Sequence, residues 1–313
     1  MTTTTTPTVP AVAARPRGRR RPLRSSRAVV GWLYATPTLV FLVLFFLVPV
    51  LLVVRMSLSD WPLFAGDRGL NAPDNYVAAV DLRLFWPAVA FTLTYTVVTT
   101  VILLAVSLGL ALLVQESSRW KSLVRTAFLV PSALGLASAS LLFYALYSPQ
   151  SGPFGQALQG LGVVDEPVSF LGTPTSALWS TVFLIVWRFA GFYMLLLLVG
   201  LQAISGDVYE AARIDGAGWW QTFTRITVPL LRPSLALCTI LCVTGSLLAF
   251  DQFYILTKGG PDNSTVTIVQ LVYNVAFQGQ NDLGVAAAVS MIVLGALVLL
   301  NVAQLKGLRG GDR

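Results

Sequence analysis

The sequence has no histidine and only two cysteines among its 313 residues. Without histidine, the usual zinc sites and histidine-based acid–base catalysis are absent. Cys238 and Cys242 lie four residues apart in an apolar run, so they share one helix face, which favours a packing role over a disulfide or a metal pair.

Phosphate-binding and hydrolytic motifs are also missing. The chain contains no G-x-x-x-x-G-K-[ST] loop, no G-x-S-x-G and no H-E-x-x-H. The sequence therefore predicts no catalytic residues, no bound metal and no cofactor on this chain. If nucleotide hydrolysis drives its activity, the nucleotide must bind another subunit.

Charged residues are scarce. They make up only 11% of the chain, against 55% hydrophobic residues, and the mean hydropathy is +0.73. Soluble domains carry about 25% charged residues, so this chain has too little polar surface for a cytosolic fold. The composition indicates an integral membrane protein.

Six apolar stretches are long enough to cross a bilayer as helices. The first has 27 residues, about 40 Å at 1.5 Å per residue, which is too long for a cleaved signal peptide. It follows a tail rich in threonine, proline and arginine that we expect to be disordered. The predicted spans are residues 28–54, 87–114, 126–148, 176–201, 234–257 and 283–305.

A further uncharged stretch, residues 263–281, is not predicted to span the membrane. Its six asparagines and glutamines are unfavourable in a helix that faces lipid. Its apolar residues fall on one helical face, as in a helix that lies on a surface or against other helices. These residues are Ile268, Leu271, Val272 and Val275.

Orientation follows from the basic residues outside the spans. With the N-terminus inside, sixteen basic residues lie inside and four outside, and Arg188 remains within a span. This asymmetry predicts an all-α integral membrane fold of six helices with both termini in the cytoplasm. The predicted regions are a disordered basic tail at 1–27, a six-span transmembrane domain at 28–305 and a cytoplasmic C-terminal tail at 306–313.

The longest predicted cytoplasmic connection between spans, residues 205–233, has the pattern of two short helices. Ser205 is a helix N-cap, and Asp207 is favourable in the first turn. Gly216 is suited to end the first helix. A second short helix would carry Trp219, Trp220, Phe223 and Ile226 before Pro229 and Pro233. From physics alone, this segment is either a compact projecting unit or an interfacial hairpin whose tryptophans anchor at the headgroups.

The same connection contains a recognisable motif. It reads Glu210-Ala211-Ala212-Arg213-Ile214-Asp215-Gly216-Ala217, followed at six-residue steps by Phe223 and Pro229. This motif resembles the EAA loop of inner-membrane permeases of binding-protein-dependent ABC importers. The resemblance extends over nearly the whole chain after the basic tail.

Three further motifs are similar to those of the carbohydrate-uptake branch, in particular to the first permease of maltose-type and glycerol-3-phosphate-type systems. They are Tyr34-Ala35-Thr36-Pro37, Asn75-Tyr76 and Gly259-Gly260-Pro261. Extra N-terminal spans and a large periplasmic insertion, as in the maltose permease, are lacking. The chain therefore looks more like the compact glycerol-3-phosphate or multiple-sugar type.

The resemblance implies a permease that forms half of the path for a sugar or glycerol-phosphate-like solute. It implies a second homologous permease, two copies of a cytoplasmic ATPase that binds ATP, and an extracytoplasmic substrate-binding protein as partners. It also implies a multi-pass location in the lipid bilayer of a bacterial-type cytoplasmic (inner) membrane, without nucleic acid.

The resemblance assigns coupling with the ATPase to the EAA loop. Glu210 is implied to be the charged contact, Asp215 and Gly216 to shape the bend, and Pro229 to orient the exit into the fifth span. The full set of expected coupling residues is Glu210, Ala211, Ala212, Asp215, Gly216, Ala217, Phe223 and Pro229.

Polar residues within the predicted spans are candidates for the translocation path. Arg188 lies near the middle of the fourth span, where an ionisable group suggests a polar cavity or a buried partner. Asp251 is the only acidic residue within a predicted span, so the two residues form either a structural ion pair or part of the cavity lining. The candidate path residues are Arg188, Tyr193, Asp251, Gln252 and Tyr254.

Two other classes of protein remain as alternatives. A stand-alone ion-coupled secondary transporter would need intramembrane acids, for which Asp251 is one candidate, and the sequence has no visible internal repeat. A membrane-bound enzyme would need a catalytic constellation, and none is visible.

Overall fold

The computed structural model describes residues 26–116, 118–279 and 281–309. Most of the predicted basic tail (residues 1–25) and the last four residues of the predicted C-terminal tail lie outside this range. The chain divides into two compact units, Met1–Leu52 and Val53–Arg313.

The regular structure of the described residues is helical, apart from two isolated bridges, which confirms the predicted all-α fold. Short π-helical or 3-10 turns connect several of the helices. In chain order the α-helices are α1 (Ser26–Leu42), α2 (Val48–Ser57), α3 (Asp74–Asp81), α4 (Phe85–Leu113), α5 (Arg119–Leu129), α6 (Leu136–Leu146), α7 (Pro153–Gly160), α8 (Pro174–Gln202), α9 (Gly206–Ile214), α10 (Trp219–Thr222), α11 (Val228–Leu247), α12 (Asp251–Leu256), α13 (Ile268–Tyr273) and α14 (Leu283–Arg309).

Within the described residues, five helices are long and apolar enough to cross a membrane, and a bent helix pair provides a sixth span if it counts as one. The chain is therefore built as a multi-pass membrane protein. The five helices are Val30–Ser57, Phe85–Leu113, Pro174–Gln202, Trp219–Leu247 and Leu283–Gly307, and the bent pair is Arg119–Ala133 with Leu136–Leu146.

The third predicted span, residues 126–148, is not one straight helix. The helices Arg119–Ala133 and Leu136–Leu146 are bent by 97° where they meet, and the first of them ends in a 3-10 turn at Val130–Ala133. Pro131 has no N–H to donate, and Gly135 has an extended backbone where α6 begins. The sequence does not predict this break, because both residues lie in an otherwise apolar run.

The fifth predicted span, residues 234–257, is displaced toward the N-terminus. The long helix begins at Trp219 and ends at Leu247. A π-turn accommodates Pro229, because the N–H of Val228 donates to the carbonyl of Phe223, five residues back. Asp251 therefore opens the separate short helix α12, beyond the end of the long helix Trp219–Leu247.

The stretch that was not predicted to span forms only the short apolar helix Ile268–Gln278. Its eleven residues rise about 16 Å, too little to cross a bilayer. Ile268, Leu271 and Val275 are buried in a cluster with residues of α3, α4 and α14. The segment packs against other helices, as the apolar face predicted.

The main hydrophobic core lies where α4, α8 and α11 pack together. Gly191 of α8 lies directly against the main chain of Phe128. Because any side chain there would collide with that main chain, only glycine permits this close approach. Both predicted packing cysteines, Cys238 and Cys242, are free and buried in this core.

Candidate functional site

The connection between α8 and α11 forms a compact unit, residues 205–227, here called the knob. Its first helix, α9, begins as predicted, because the hydroxyl of Ser205 accepts a hydrogen bond of 3.3 Å from the backbone N–H of Asp207. Asp207 lies in the first turn, where the helix dipole favours a carboxylate.

The end of α9 also follows the prediction. Gly216 has a φ of +75°, the left-handed conformation that glycine adopts most easily. The N–H of Ala217 donates to the carbonyl of Ala212 at 2.9 Å, and the N–H of Gly216 donates to that of Arg213 at 3.1 Å. This hydrogen-bond pair is the Schellman arrangement. It fixes the direction in which the chain leaves α9.

The second arm of the knob carries an exposed aromatic group. The rings of Trp219 and Phe223 are stacked, with centroids 5.5 Å apart and planes 2° from parallel. Trp219 is 71% exposed and Trp220 is 65% exposed. This arm differs from the prediction of a separate short helix, because it continues without a break into α11.

A side-chain contact holds the two arms together. The hydroxyl oxygens of Tyr209 on α9 and Thr227 at the end of the π-turn lie 3.3 Å apart. Ala212 is buried between the arms at 6% exposure. The knob is therefore braced at its base as well as at its bend.

The expected coupling residues divide into a presented set and a supporting set. The presented side chains are exposed to solvent, whereas the supporting ones are partly or fully buried against the rest of the chain. Glu210, Ala211, Asp215 and Gly216 are exposed, Ala217, Phe223 and Pro229 are half-buried, and Ala212 is buried.

A cavity of about 730 Å³ lies beside the knob. One wall comes from α9 and α10, including Glu210, Arg213 and Trp219, and the other from the end of α4 and the start of α5. This second wall was not predicted from the sequence; it is formed by Leu112, Gln115, Glu116 and Lys121. The only local signal for it was the basic cluster around Lys121.

An ion pair and a buried-carbonyl contact organise the second wall. Lys121 Nζ lies 2.7 Å from Glu116 Oε2. The Lys121 hydrogen bond lowers the pKa of Glu116 from its usual value, with a smaller contribution from the charge of Arg213. The guanidinium of Arg125 donates to the carbonyl of Val114 at the end of α4. Glu116 therefore stays ionised to a lower pH than an unpaired glutamate would.

Arg188 provides a hydrogen-bond donor for a main-chain carbonyl at the break of the third span. Its guanidinium donates to the carbonyl of Leu134 and lies over the ring of Phe189, 4.2 Å from the centroid. Among the described residues, no ion pair joins Arg188 to Asp251. The sequence-based alternative of a helix–helix ion pair is therefore wrong.

Two other candidate path residues are buried in the main core. Tyr193 is 6% exposed and Gln252 is 2% exposed. Gln252 Nε2 donates to the hydroxyl of Tyr95 at 3.2 Å, while its Oε1 has no partner among the described residues. In this conformation neither side chain lines an open path.

Tyr254 and Asp251 lie at a more accessible place. Both are half-buried on α12. The hydroxyl of Tyr254 lies 3.5 Å from that of Tyr273, and Gln278 Nε2 donates to it at 3.3 Å. The structure thus separates the five candidate path residues into three different environments.

The Asn75-Tyr76 motif joins the start of α3 to the end of α2 and the residues that follow it. Asn75 Nδ2 donates to the carbonyls of Ser57 at 3.1 Å and Ser59 at 2.8 Å. The hydroxyl of Tyr76 lies 2.9 Å from that of Ser57. In this chain the motif therefore has a structural role, because it fixes the start of α3 against Ser57 and Ser59.

The chain matches a known family of membrane proteins. The model of the family described as "Binding-protein-dependent transport system inner membrane component" matches residues 102–305. The trehalose/maltose transport system permease protein of Thermococcus litoralis is 33% identical over 284 residues, covering 91% of this chain and 95% of that protein. The lactose transport system permease protein of Rhizobium radiobacter is 32% identical over 292 residues, covering 91% and 96%.

The fold is also similar to that of a solved transporter. A chain of a bacterial ABC transporter involved in the import of the acidic polysaccharide alginate matches with a TM-score of 0.79 at 22% identity. The match covers 90% of this chain and 96% of that chain. At this identity, the likeness shows a common fold alone.

Proposed function

This chain belongs to the binding-protein-dependent transport system inner membrane components, in their carbohydrate-uptake branch, and from that membership we propose that it forms half of the translocation path of an ABC importer and is coupled to a separate ATPase through the knob. The family makes it a sugar-transport permease subunit rather than an enzyme. The proposed solute is a sugar, as the names of the relatives suggest.

The construction of the knob carries the coupling proposal. A part that transmits force must keep its shape, and the knob is fixed at its cap, its bend and its base. It presents Glu210 and Asp215 beside exposed tryptophans. Tryptophan is enriched in protein interfaces and in the residues that contribute most to their binding energy.

The cavity beside the knob supports the same proposal. Its walls carry both signs of charge, so they suit a partner surface with mixed polar and apolar groups. We assign this cavity to the permease side of the ATPase contact. ATP would bind on that partner, in two copies, and this chain would contribute no ligand to the nucleotide.

The remaining partners are also proposed from the family to which the chain belongs. A second homologous permease would complete the path, and a substrate-binding protein would deliver the solute from outside. The proposed orientation puts both termini and the knob in the cytoplasm of a bacterial-type inner membrane. The distribution of basic residues supports it.

Reversal of the charge at Glu210 tests the coupling. In cells that carry the complete transporter, Glu210→Lys should leave the permease in the membrane but weaken its co-purification with the ATPase. We expect the free energy of association with the ATPase to weaken by about 2 kcal/mol or more, and little sugar uptake. The introduced lysine would lie in the interface opposite a group of like charge, or without an oppositely charged partner.

Glu166→Lys is the matched control, since Glu166 is an exposed acid in a loop on the opposite predicted side. Normal ATPase recovery and uptake with Glu210→Lys would contradict the coupling role. Uptake that survives ATP depletion but stops when the ion gradient is dissipated would favour the secondary transporter instead.

A further inference from the structure

Four aromatic side chains form a continuous row between α11 and α14. The rings of Phe250 and Tyr254 are stacked 5.1 Å apart, and Tyr254 meets Tyr273 at 5.1 Å nearly edge-on. Tyr273 then meets Phe277 at 5.4 Å. With Gln278, these four residues are here called the aromatic ledge.

The aromatic ledge is open at one end and firmly supported at the other. Phe277 is 54% exposed. Behind the row, the hydroxyl of Thr267 donates to the carbonyl of Ala249 at 2.7 Å, and the N–H of Ile268 donates to the hydroxyl of Thr92 at 3.0 Å. These buried contacts fix α13 against α4 and the segment before α12, so the ring positions are preorganised.

The edges of the aromatic ledge are polar. The hydroxyls of Tyr254 and Tyr273 lie together, and the amide of Gln278 donates to Tyr254. A cluster that only faced lipid or filled a core would gain nothing from three hydrogen-bonding groups beside its rings. The combination suits a ligand that has apolar faces and hydroxylated edges.

A saccharide has this chemistry. The axial C–H bonds of a pyranose carry partial positive charge and rest favourably on the negative face of an aromatic ring. Its equatorial hydroxyls reach outward and exchange hydrogen bonds with phenol and amide groups.

The charges around the aromatic ledge select against anionic solutes. None of the five ledge residues is cationic, and Asp251 lies three residues before Tyr254 on the same side of α12. The one arginine among the candidate path residues, Arg188, is engaged by the Leu134 carbonyl and the Phe189 ring. A phosphate or a uronate would meet the carboxylate of Asp251 beside the aromatic ledge.

We propose that the aromatic ledge is a binding site for an uncharged saccharide, at which a pyranose ring stacks on Phe277 and Tyr273 while its hydroxyls pair with Tyr254 and Gln278. This inference rests on the proposed function for its biological meaning. It narrows the solute from a sugar or a glycerol phosphate to a neutral saccharide.

Saturation-transfer NMR on the full-length chain in lipid nanodiscs tests the site directly. The probes are maltose, trehalose and lactose, with glycerol 3-phosphate and glucuronate as charged comparisons. At least one neutral disaccharide should receive saturation at its ring C–H protons, and the charged probes should receive little. Phe277→Ala should raise the apparent Kd by about two- to tenfold, the range expected for one aromatic contact.

Two other variants complete the test. Tyr254→Phe keeps the ring packing and removes the hydroxyl that would pair with the saccharide, so it should weaken binding without unfolding. Phe64→Ala is the matched control, since Phe64 is 88% exposed and lies outside the aromatic ledge. It should leave the signal unchanged.

The aromatic ledge proposal is overturned if no neutral probe receives saturation, or if Phe277→Ala and Phe64→Ala behave alike. It is also overturned if Phe277→Ala releases a second permease subunit while the saccharide signal persists, because the row would then be a subunit contact. Failure of ATPase coupling with an intact saccharide signal would instead count against the proposed function. The two proposals therefore fail separately.

Discussion

At the scale of single residues, Arg188 shows how an intramembrane charge can serve the backbone. Its guanidinium meets the carbonyl of Leu134, which the break of the third span leaves without a helical N–H partner. Non-helical backbone at membrane depth is tolerated where other protein groups satisfy it. The sequence left open a polar cavity or a buried partner for Arg188. It did not indicate a main-chain carbonyl, because the break itself was not predicted.

A double-mutant cycle tests this role. Arg188→Leu should lower the thermal unfolding midpoint of the purified protein, because it removes the hydrogen bond to the Leu134 carbonyl, worth about 1 kcal/mol. Asp251→Leu should have its own, independent effect, so the coupling energy between the two changes should be close to zero. If the Leu/Leu protein were more stable than Arg188→Leu alone, the result would indicate that Arg188 and Asp251 do form an ion pair, contrary to the structure.

At the scale of elements, the sequence predicted best where the signals are local. The cap at Ser205 and the glycine at Gly216 were both identified, because each acts through its own backbone and its nearest neighbours. The break near Pro131 and the early start of the fifth span were not identified from the sequence. The break depends on packing, and the early start depends on a π-turn. A proline in an apolar run can kink, end or bend a helix, and sequence alone does not choose among these.

The bend of the knob gives an element-scale prediction. Gly216→Ala places a side chain at φ +75° without any clash, so it should destabilise the bend by about 1 kcal/mol. ATPase co-purification and coupled uptake should fall, while membrane insertion is retained. Gly160→Ala on α7 is the control, because Gly160 lies outside the knob, has open space around it and has no left-handed backbone.

Equal transport by these two alanine variants would mean that the direction of the bend does not matter for coupling. The knob would then be better explained as an interfacial hairpin, the alternative left open by its tryptophans. That alternative also predicts that Trp219→Ser reduces membrane insertion rather than ATPase association.

At the scale of the whole molecule, composition predicted the class of protein, and the all-helical structure with its apolar spans confirms the fold class. The candidate path is different, since its five residues were chosen for polarity and depth alone. The structure buries Gln252 and Tyr193 but leaves Tyr254 accessible. Polarity in a span does not reveal which helix face a residue occupies once helices break and shift.

The membrane orientation rests on charge and needs its own experiment, for which the structure guides the choice of labelling sites. Ser118 and Ser151 are both exposed, in connections predicted to lie on opposite sides. Gly152 is unsuitable, because a side chain there would collide with the main-chain carbonyls of Leu146 and Ser148.

Single cysteines at Ser118, Ser151 and Gly310 should therefore report the orientation in intact cells, in a background with Cys238→Ala and Cys242→Ala. Sixteen basic residues against four predict that an impermeant thiol reagent labels Ser151→Cys but not Ser118→Cys or Gly310→Cys. Permeabilised cells provide the control, since all three positions should then be labelled. Labelling at Gly310 but not at Ser118 would require an odd number of spans between them. Because the helix Ile268–Gln278 is too short to cross, such a result would indicate that the bent pair Arg119–Ala133 and Leu136–Leu146 enters and leaves the membrane on the same side.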